Sequence, residues 1–142
     1  MRIVIDCNVF VSAALGSATC QAVLREAFLN HEVFYSKAIS KEIEATFEKV
    51  KLSAIRHKQQ AIIETLNTLG IKVHLEHPAA FSLPDPDDAI YLQTAVVSFS
   101  TAIVTGNKKH FPKSTCGKIQ VLSPREFLDH MKIEQPSSLL GR

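Results

Sequence analysis

Two periods organise the apolar positions of this chain. Ile3-Val4-Ile5 is an unbroken β-branched run closed by Asp6, the pattern of a strand covered on both faces. Cys20, Val23, Leu24, Ala27 and Phe28 recur at helical spacing, and Glu32 to Ser36 reads as a second strand. Ile39, Ile43, Phe47 and Val50 mark one face of a further helix. Another runs from about Ala54 to Leu69 and stops at Gly70. Ile71 to Leu75 alternates as an edge strand does. Leu83-Pro84-Asp85-Pro86 is turn chemistry, and the helix that starts there directs Ala89, Leu92, Ala95, Val96 and Phe99 inward. Ala102 to Thr105 and Ile119 to Leu122 complete five strands. Ser123-Pro124-Arg125-Glu126 opens the last helix with a capping box and a proline in the first turn.

Strands alternating with helices predict an α/β fold with a mainly parallel sheet. With 142 residues there is room for one domain, over residues 1–132, and the polar stretch 133–142 reads as a loose tail. Charged residues make up 21% of the chain, a globular balance, and no apolar run is long enough to span a bilayer. The start of the chain moves directly into the first strand without a basic leader, so a soluble, cytoplasmic protein is expected. Cys7, Cys20 and Cys116 are odd in number and lack CxxC spacing, which speaks against a disulfide framework or a zinc cage. A net charge of +2 does not by itself imply nucleic-acid binding, although Lys108, Lys109, Lys113 and Lys118 gather in one late stretch.

The acidic residues change the picture. The chain has five aspartates, and four of them fall at Asp6 and in Asp85-Pro86-Asp87-Asp88. Asp6 ends the first strand, where open α/β sheets gather functional groups. Glu42 lies at one edge of its helix's apolar face and Glu44 at the other, and periodicity does not choose between them. Asp85 has the position of an N-cap, with Asp87 and Asp88 complementing the helix dipole. Asp88 also shares a face with Leu92, Ala95 and Phe99, which turns it inward. Carboxylates kept ionised together call for a cation, and all-oxygen donors suit Mg²⁺ or Mn²⁺. Metal-assisted phosphodiester hydrolysis is the matching chemistry. His110 reads as a surface residue, and His74-x-x-His77 straddles a strand and a loop, a poor zinc site.

These blocks in this order resemble the PIN-domain family: Asp6-Cys7-Asn8 with Ser12, Ser36 followed by Glu42-Ile43, Asp85-Pro86-Asp87-Asp88, Ile103-Val104-Thr105-Gly106-Asn107-Lys108, and the closing Val121 to Leu128. More narrowly they resemble its branch of toxin components of toxin–antitoxin systems. The resemblance extends to about residue 130. It implies a three-layer α/β/α sandwich, a Mg²⁺ or Mn²⁺ site, cleavage of RNA, a homodimer and an antitoxin partner. Carried over by position, it implies catalytic roles for Asp6, Glu42 and Asp88. Asp6, Asp85 and Asp88 become the metal-binding positions, with Glu42 holding or activating water. Asn8, Thr105, Asn107 and Lys108 line the path of the substrate.

Two departures stand out. Asn107 occupies a position where many members carry Asp, which favours one bound metal over two. Cys7 replaces a usual Thr or Ser and offers Mg²⁺ a soft thiol of little use. Both lower the expected activity and leave open a second reading, a PIN-fold module that binds RNA or protein without catalysis. An aspartyl phosphatase is disfavoured because Asn8 stands where its second carboxylate would be.

Overall fold

The structure, a computed structural model, describes residues 1–50, 52–77 and 79–134. Its strands are β1 (Arg2–Ile5), β2 (Glu32–Ser36), β3 (Ile71–Val73), β4 (Ala102–Val104) and β5 (Gln120–Leu122). The helices are α1 (Cys7–Ala14), α2 (Ala18–Asn30), α3 (Lys37–Lys49), α4 (Ser53–Leu69), α5 (Ala89–Val97), α6 (Lys113–Cys116) and α7 (Pro124–Glu134). Single 3₁₀ turns at Pro86–Asp88 and Lys108–His110 precede α5 and α6. Most of the polar tail, 135–142, lies outside the described residues.

All five strands run parallel in the order β3-β2-β1-β4-β5. Successive side chains on a strand point to opposite faces, and Ile3, Val4 and Ile5 are each at most 1% exposed, so helices must cover both faces of β1. The result is a three-layer α/β/α sandwich. Helix α5 packs on β1, β2 and β4, while α2 packs on α1, α7 and β2. From β1 the chain moves outward to β2 and β3, then returns to place β4 on the other side of β1. That reversal opens a crevice beyond the carboxyl ends of β1 and β4, the usual place for a ligand in such a sheet.

Several local expectations are met. Ser123 and Glu126 form the capping box of α7, with Glu126 N donating to Ser123 Oγ at 3.0 Å and Ser123 N donating to Glu126 Oε1 at 2.9 Å. β3 is an edge strand, though it ends at Val73. Gly70 does stop α4, but with φ −73° it needs no left-handed conformation. Its reason is space: a Cβ there would sit 2.5 Å from the Leu66 carbonyl oxygen and 2.9 Å from the Tyr35 ring.

Two expectations are corrected. Helix α1 was not anticipated from the sequence, because no side chain caps its start and it is only 8 residues long. It forms because Val9, Phe10, Ala13 and Ala14 bury against the rest of the core. Val96 and Phe99 do not face inward; they are 52% and 80% exposed. The chain leaves the helix at Ser98, and Phe99 takes φ +56°, which breaks the helical phase assumed for it. Cys7, Cys20 and Cys116 are buried free thiols. Among the described residues no helix is long and apolar enough to cross a membrane.

Candidate active site at the carboxyl end of the sheet

Asp6 follows β1 directly and is 5% exposed. Its carboxylate is fixed by two neighbours: the Thr105 hydroxyl, one residue past β4, donates to Oδ2 at 2.8 Å, and Asn8 Nδ2 donates to the same oxygen at 3.2 Å. The Thr105 hydroxyl in turn accepts from Asn107 N at 3.0 Å. Asn8 Oδ1 accepts from Gly106 N, also at 3.0 Å. The loop after β4 is therefore laced to the start of α1 across the crevice, through short polar side chains that the parallel register of β1 and β4 brings face to face.

Glu42, on α3, is half-buried, whereas Glu44 is exposed. Glu42 Oε1 accepts a hydrogen bond from the hydroxyl of Tyr91 on α5. The same hydroxyl accepts from Cys7 N at 3.3 Å, so Tyr91 links α5, α3 and the first residue of α1. Thr46 Oγ1 donates to the Glu42 carbonyl at 2.8 Å and lies 3.6 Å from Cys7 Sγ.

The third acidic element has split roles. Asp85 caps the turn before α5, accepting from Asp87 N at 3.0 Å. Asp88, 9% exposed, faces the crevice side of β4, where His110 Nδ1 lies 2.8 Å from its Oδ2. The other ring nitrogen, Nε2, lies 3.0 Å from Asn107 Nδ2. A hydrogen on Nδ1 that donates to Asp88, with Nε2 accepting from the Asn107 amide, satisfies both contacts. Asp85, Asp88 and His110 each present a ligand atom, all within 4.8 Å of one another.

Burial lifts the pKa of each principal carboxylate, and the site's own charges add to it. Asp6 is raised first by desolvation and further by Asp88, against the lowering effect of the Thr105 hydrogen bond. Glu42 is raised by desolvation and by Asp6, Asp87 and Asp85, opposed by the Tyr91 hydrogen bond. Asp88 is raised by desolvation, Asp85 and Glu42, and His110 opposes the shift. Burial also pushes the Cys7 thiol up to about 11, so it stays protonated near neutral pH. Among the described residues no lysine or arginine is ion-paired with Asp6, Glu42, Asp85 or Asp88. Lys108 instead pairs with Glu126 of α7 at 2.8 Å.

Negative groups held together at such cost, with oxygen donors in the majority, fit a divalent cation such as Mg²⁺ or Mn²⁺. Asp85 and Asp88, the two expected ligands in the group with His110, could hold it, and Asp6 lies outside that group. An open groove of about 540 Å³ runs beside Glu42 and Asp87, lined also by Pro86, Gln93, Leu75 and His77. Two site residues were missed from the sequence. His110, set aside as a surface residue, touches Asp88. Tyr91 looked like an ordinary member of an apolar helix face; the one available signal was its hydroxyl, which a buried tyrosine must satisfy.

Comparison with known proteins agrees with this fold. No curated protein matches the chain. A solved structure with the same fold is the crystal structure of VapBC2 from Rickettsia felis bound to a DNA fragment from their promoter. The likeness has a TM-score of 0.60 at 13% identity, covering 87% of this chain and 98% of that one. The family model described as PIN domain matches residues 2–109, a span that runs from β1 to the turn carrying Asn107 and so takes in all three acidic elements. The chain belongs to the PIN-domain family.

Proposed function

We propose that the protein is a divalent-metal-dependent endoribonuclease that hydrolyses RNA phosphodiester bonds, and that it acts as the toxin component of a toxin–antitoxin system. The observation that carries this reading is that Asp6, Glu42 and Asp88, from three separate elements, each stand within electrostatic reach of another. On top of burial, Asp88 lifts Asp6, Asp6 lifts Glu42 and Glu42 lifts Asp88. Family membership supports the reading, since nuclease chemistry needs such a pocket.

Asp6, Asp85 and Asp88 are the residues that would hold Mg²⁺ or Mn²⁺. When bound, the cation supplies an acidified water and neutralises charge on the phosphate and the leaving oxygen. The protein's own groups do the rest. Thr105 and Asn8 hold the Asp6 carboxylate in one orientation. Glu42, aimed by the Tyr91 hydroxyl, takes up the proton that the attacking water releases. Asn107 and Lys108 meet the phosphates beside the cleaved bond. No acidic residue occurs between Asp88 and Glu126, a stretch that contains Lys108, Lys109, Lys113, Lys118 and Arg125, and this imbalance favours a polyanion on that side.

The same reading gives the protein an antitoxin partner, a homodimeric state and a cytoplasmic place of action. Asn107, neutral where many members are acidic, favours a second reading, a PIN-fold module that binds RNA or protein without cutting. One experiment separates them: Mn²⁺ titration of the protein and an Asp6→Asn variant, following binding heat and cleavage of a mixed RNA pool. Binding with cleavage in the parent, and loss of both in the variant, supports the nuclease. A folded parent that binds no Mn²⁺ and cuts nothing leaves the binding module.

A further inference from the structure

Resting on the metal-nuclease reading, we propose that His110 is a nitrogen ligand of the bound cation, that Asn107 is the outer partner orienting its ring, and that the site therefore prefers Mn²⁺ over Mg²⁺. Asn107 then accounts for itself. It stands in the place of an acid, but its side chain reaches the imidazole, and the imidazole reaches Asp88. The charge missing at 107 is replaced by a donor three residues further on.

The geometry is close to what a shared ion needs. The Asp85, Asp88 and His110 ligand atoms lie within 4.8 Å of one another. Ligand bonds of about 2.1–2.3 Å place adjacent donors roughly 3 Å and opposite donors roughly 4.2–4.6 Å apart, so Asp88 and His110, now 2.8 Å apart, need part only slightly and Asp85 need shift little. Asp88 is held by the turn before α5 and His110 by the turn after β4, so the two sides of the crevice would be joined through the ion.

Binding requires a tautomer change that the surroundings can accept. Nδ1 faces Asp88, so its hydrogen must leave for its lone pair to meet the cation. The neutral ring keeps one hydrogen, now on Nε2, after exchange with solvent. Nε2 then donates to Asn107, whose amide turns to offer Oδ1. An amide can serve either tautomer, since it carries both a donor and an acceptor. Metal-binding histidines characteristically donate their second ring N–H to such an outer oxygen. An imidazole ligand suits Mn²⁺ better than Mg²⁺, which keeps to oxygen donors and water.

The test loads the protein with Mn²⁺ and reads nitrogen coupling by pulsed electron paramagnetic resonance, alongside calorimetric Kd values for Mn²⁺ and Mg²⁺. Directly coordinated nitrogen should appear in the parent, disappear in His110→Gln and persist in His77→Ala. The parent's preference for Mn²⁺ should shrink in His110→Gln. Asn107→Ala should keep the coupling but bind Mn²⁺ about 10-fold or more weakly. Circular dichroism of each variant confirms the fold, and His110→Ala provides a second loss of the ring. Mn²⁺ binding without nitrogen coupling, or coupling that survives both His110 variants, overturns the assignment and leaves the nuclease reading intact. A folded parent that binds no Mn²⁺ removes both.

Discussion

The hydroxyl of Tyr91 donates to the carboxylate of Glu42, and it does so from a side chain that is 0% exposed. Because the same oxygen accepts from Cys7 N, one group sets the position of Glu42 relative to the backbone next to Asp6. The spacing of Asp6, at the end of β1, and Glu42, on α3, is thus fixed by a phenol on α5.

Tyr91→Phe should separate this positioning from packing. The ring stays, one hydrogen bond to a charged group is lost, and Cys7 N loses its partner. The cost in stability is expected to be about 1.5–3 kcal/mol by urea unfolding. RNA cleavage should fall roughly 10- to 100-fold, since Glu42 is then held less well. Unchanged cleavage in a destabilised variant would show that Glu42 needs no such aid.

Asp6→Asn should have opposite effects on activity and stability. Its carboxylate is raised by burial and by Asp88, so removing the charge relieves repulsion in the metal-free protein, and Asn can still accept from Thr105. Metal-free Asp6→Asn should melt above the parent in a thermal scan, while cleavage with Mn²⁺ drops at least ~100-fold. A variant that melts lower would mean that the charge is not a burden on the fold.

The pH dependence of stability follows from the same shifts. Asp6, Glu42 and Asp88 have folded-state pKa values above their ordinary values of about 4. Between those limits the folded state holds more protons than the unfolded one, so stability falls as pH rises through the window. Glu126 is lowered by its hydrogen bond from Lys108 and acts in the opposite sense, but it is an exposed group and weighs little. In chelator, the urea midpoint should rise as pH is lowered from neutral toward the ordinary carboxylate range. Saturating Mn²⁺ should flatten that slope, and a slope that Mn²⁺ leaves untouched would count against a cation at these carboxylates.

Phe99 offers a test remote from the site. Ser100 N donates to the Ala95 carbonyl at 2.8 Å and Phe99 N to the Val96 carbonyl at 3.2 Å, the paired bonds of a Schellman ending with Phe99 in the left-handed position that glycine usually fills. Phe99 is 80% exposed, so little packing offsets its strain. Phe99→Gly should stabilise the protein by about 0.5–1 kcal/mol in urea, after the greater freedom of glycine in the unfolded chain is subtracted. RNA cleavage should not change.

These residues also show what the sequence could reveal. The strands, the α7 capping box and the inward turn of Asp88 rest on contacts within a few positions, and local pattern exposes them. Asp6 was legible because a lone acid closing a buried strand has few other reasons to be there. His110 and Tyr91 were not, since their partners lie 22 and 49 residues away and neither breaks a local rule. Periodicity left Glu42 and Glu44 equal; the distinction came from Tyr91, which lies on another helix. Phe99 was misread because the helical phase was continued one residue past its end. Helix α1 escaped because tertiary burial, with no capping side chain, holds it in place.

The bond between Asp6 and Thr105 spans 99 residues, so the pocket is complete only once the chain through Thr105 is in place. A growing chain displays Asp6, then Glu42, then Asp88, and the residue that holds the first of these, Thr105, follows all three. A fragment ending after Asp88 but before Thr105 would carry all three proposed cutting groups without the hydroxyl that holds Asp6.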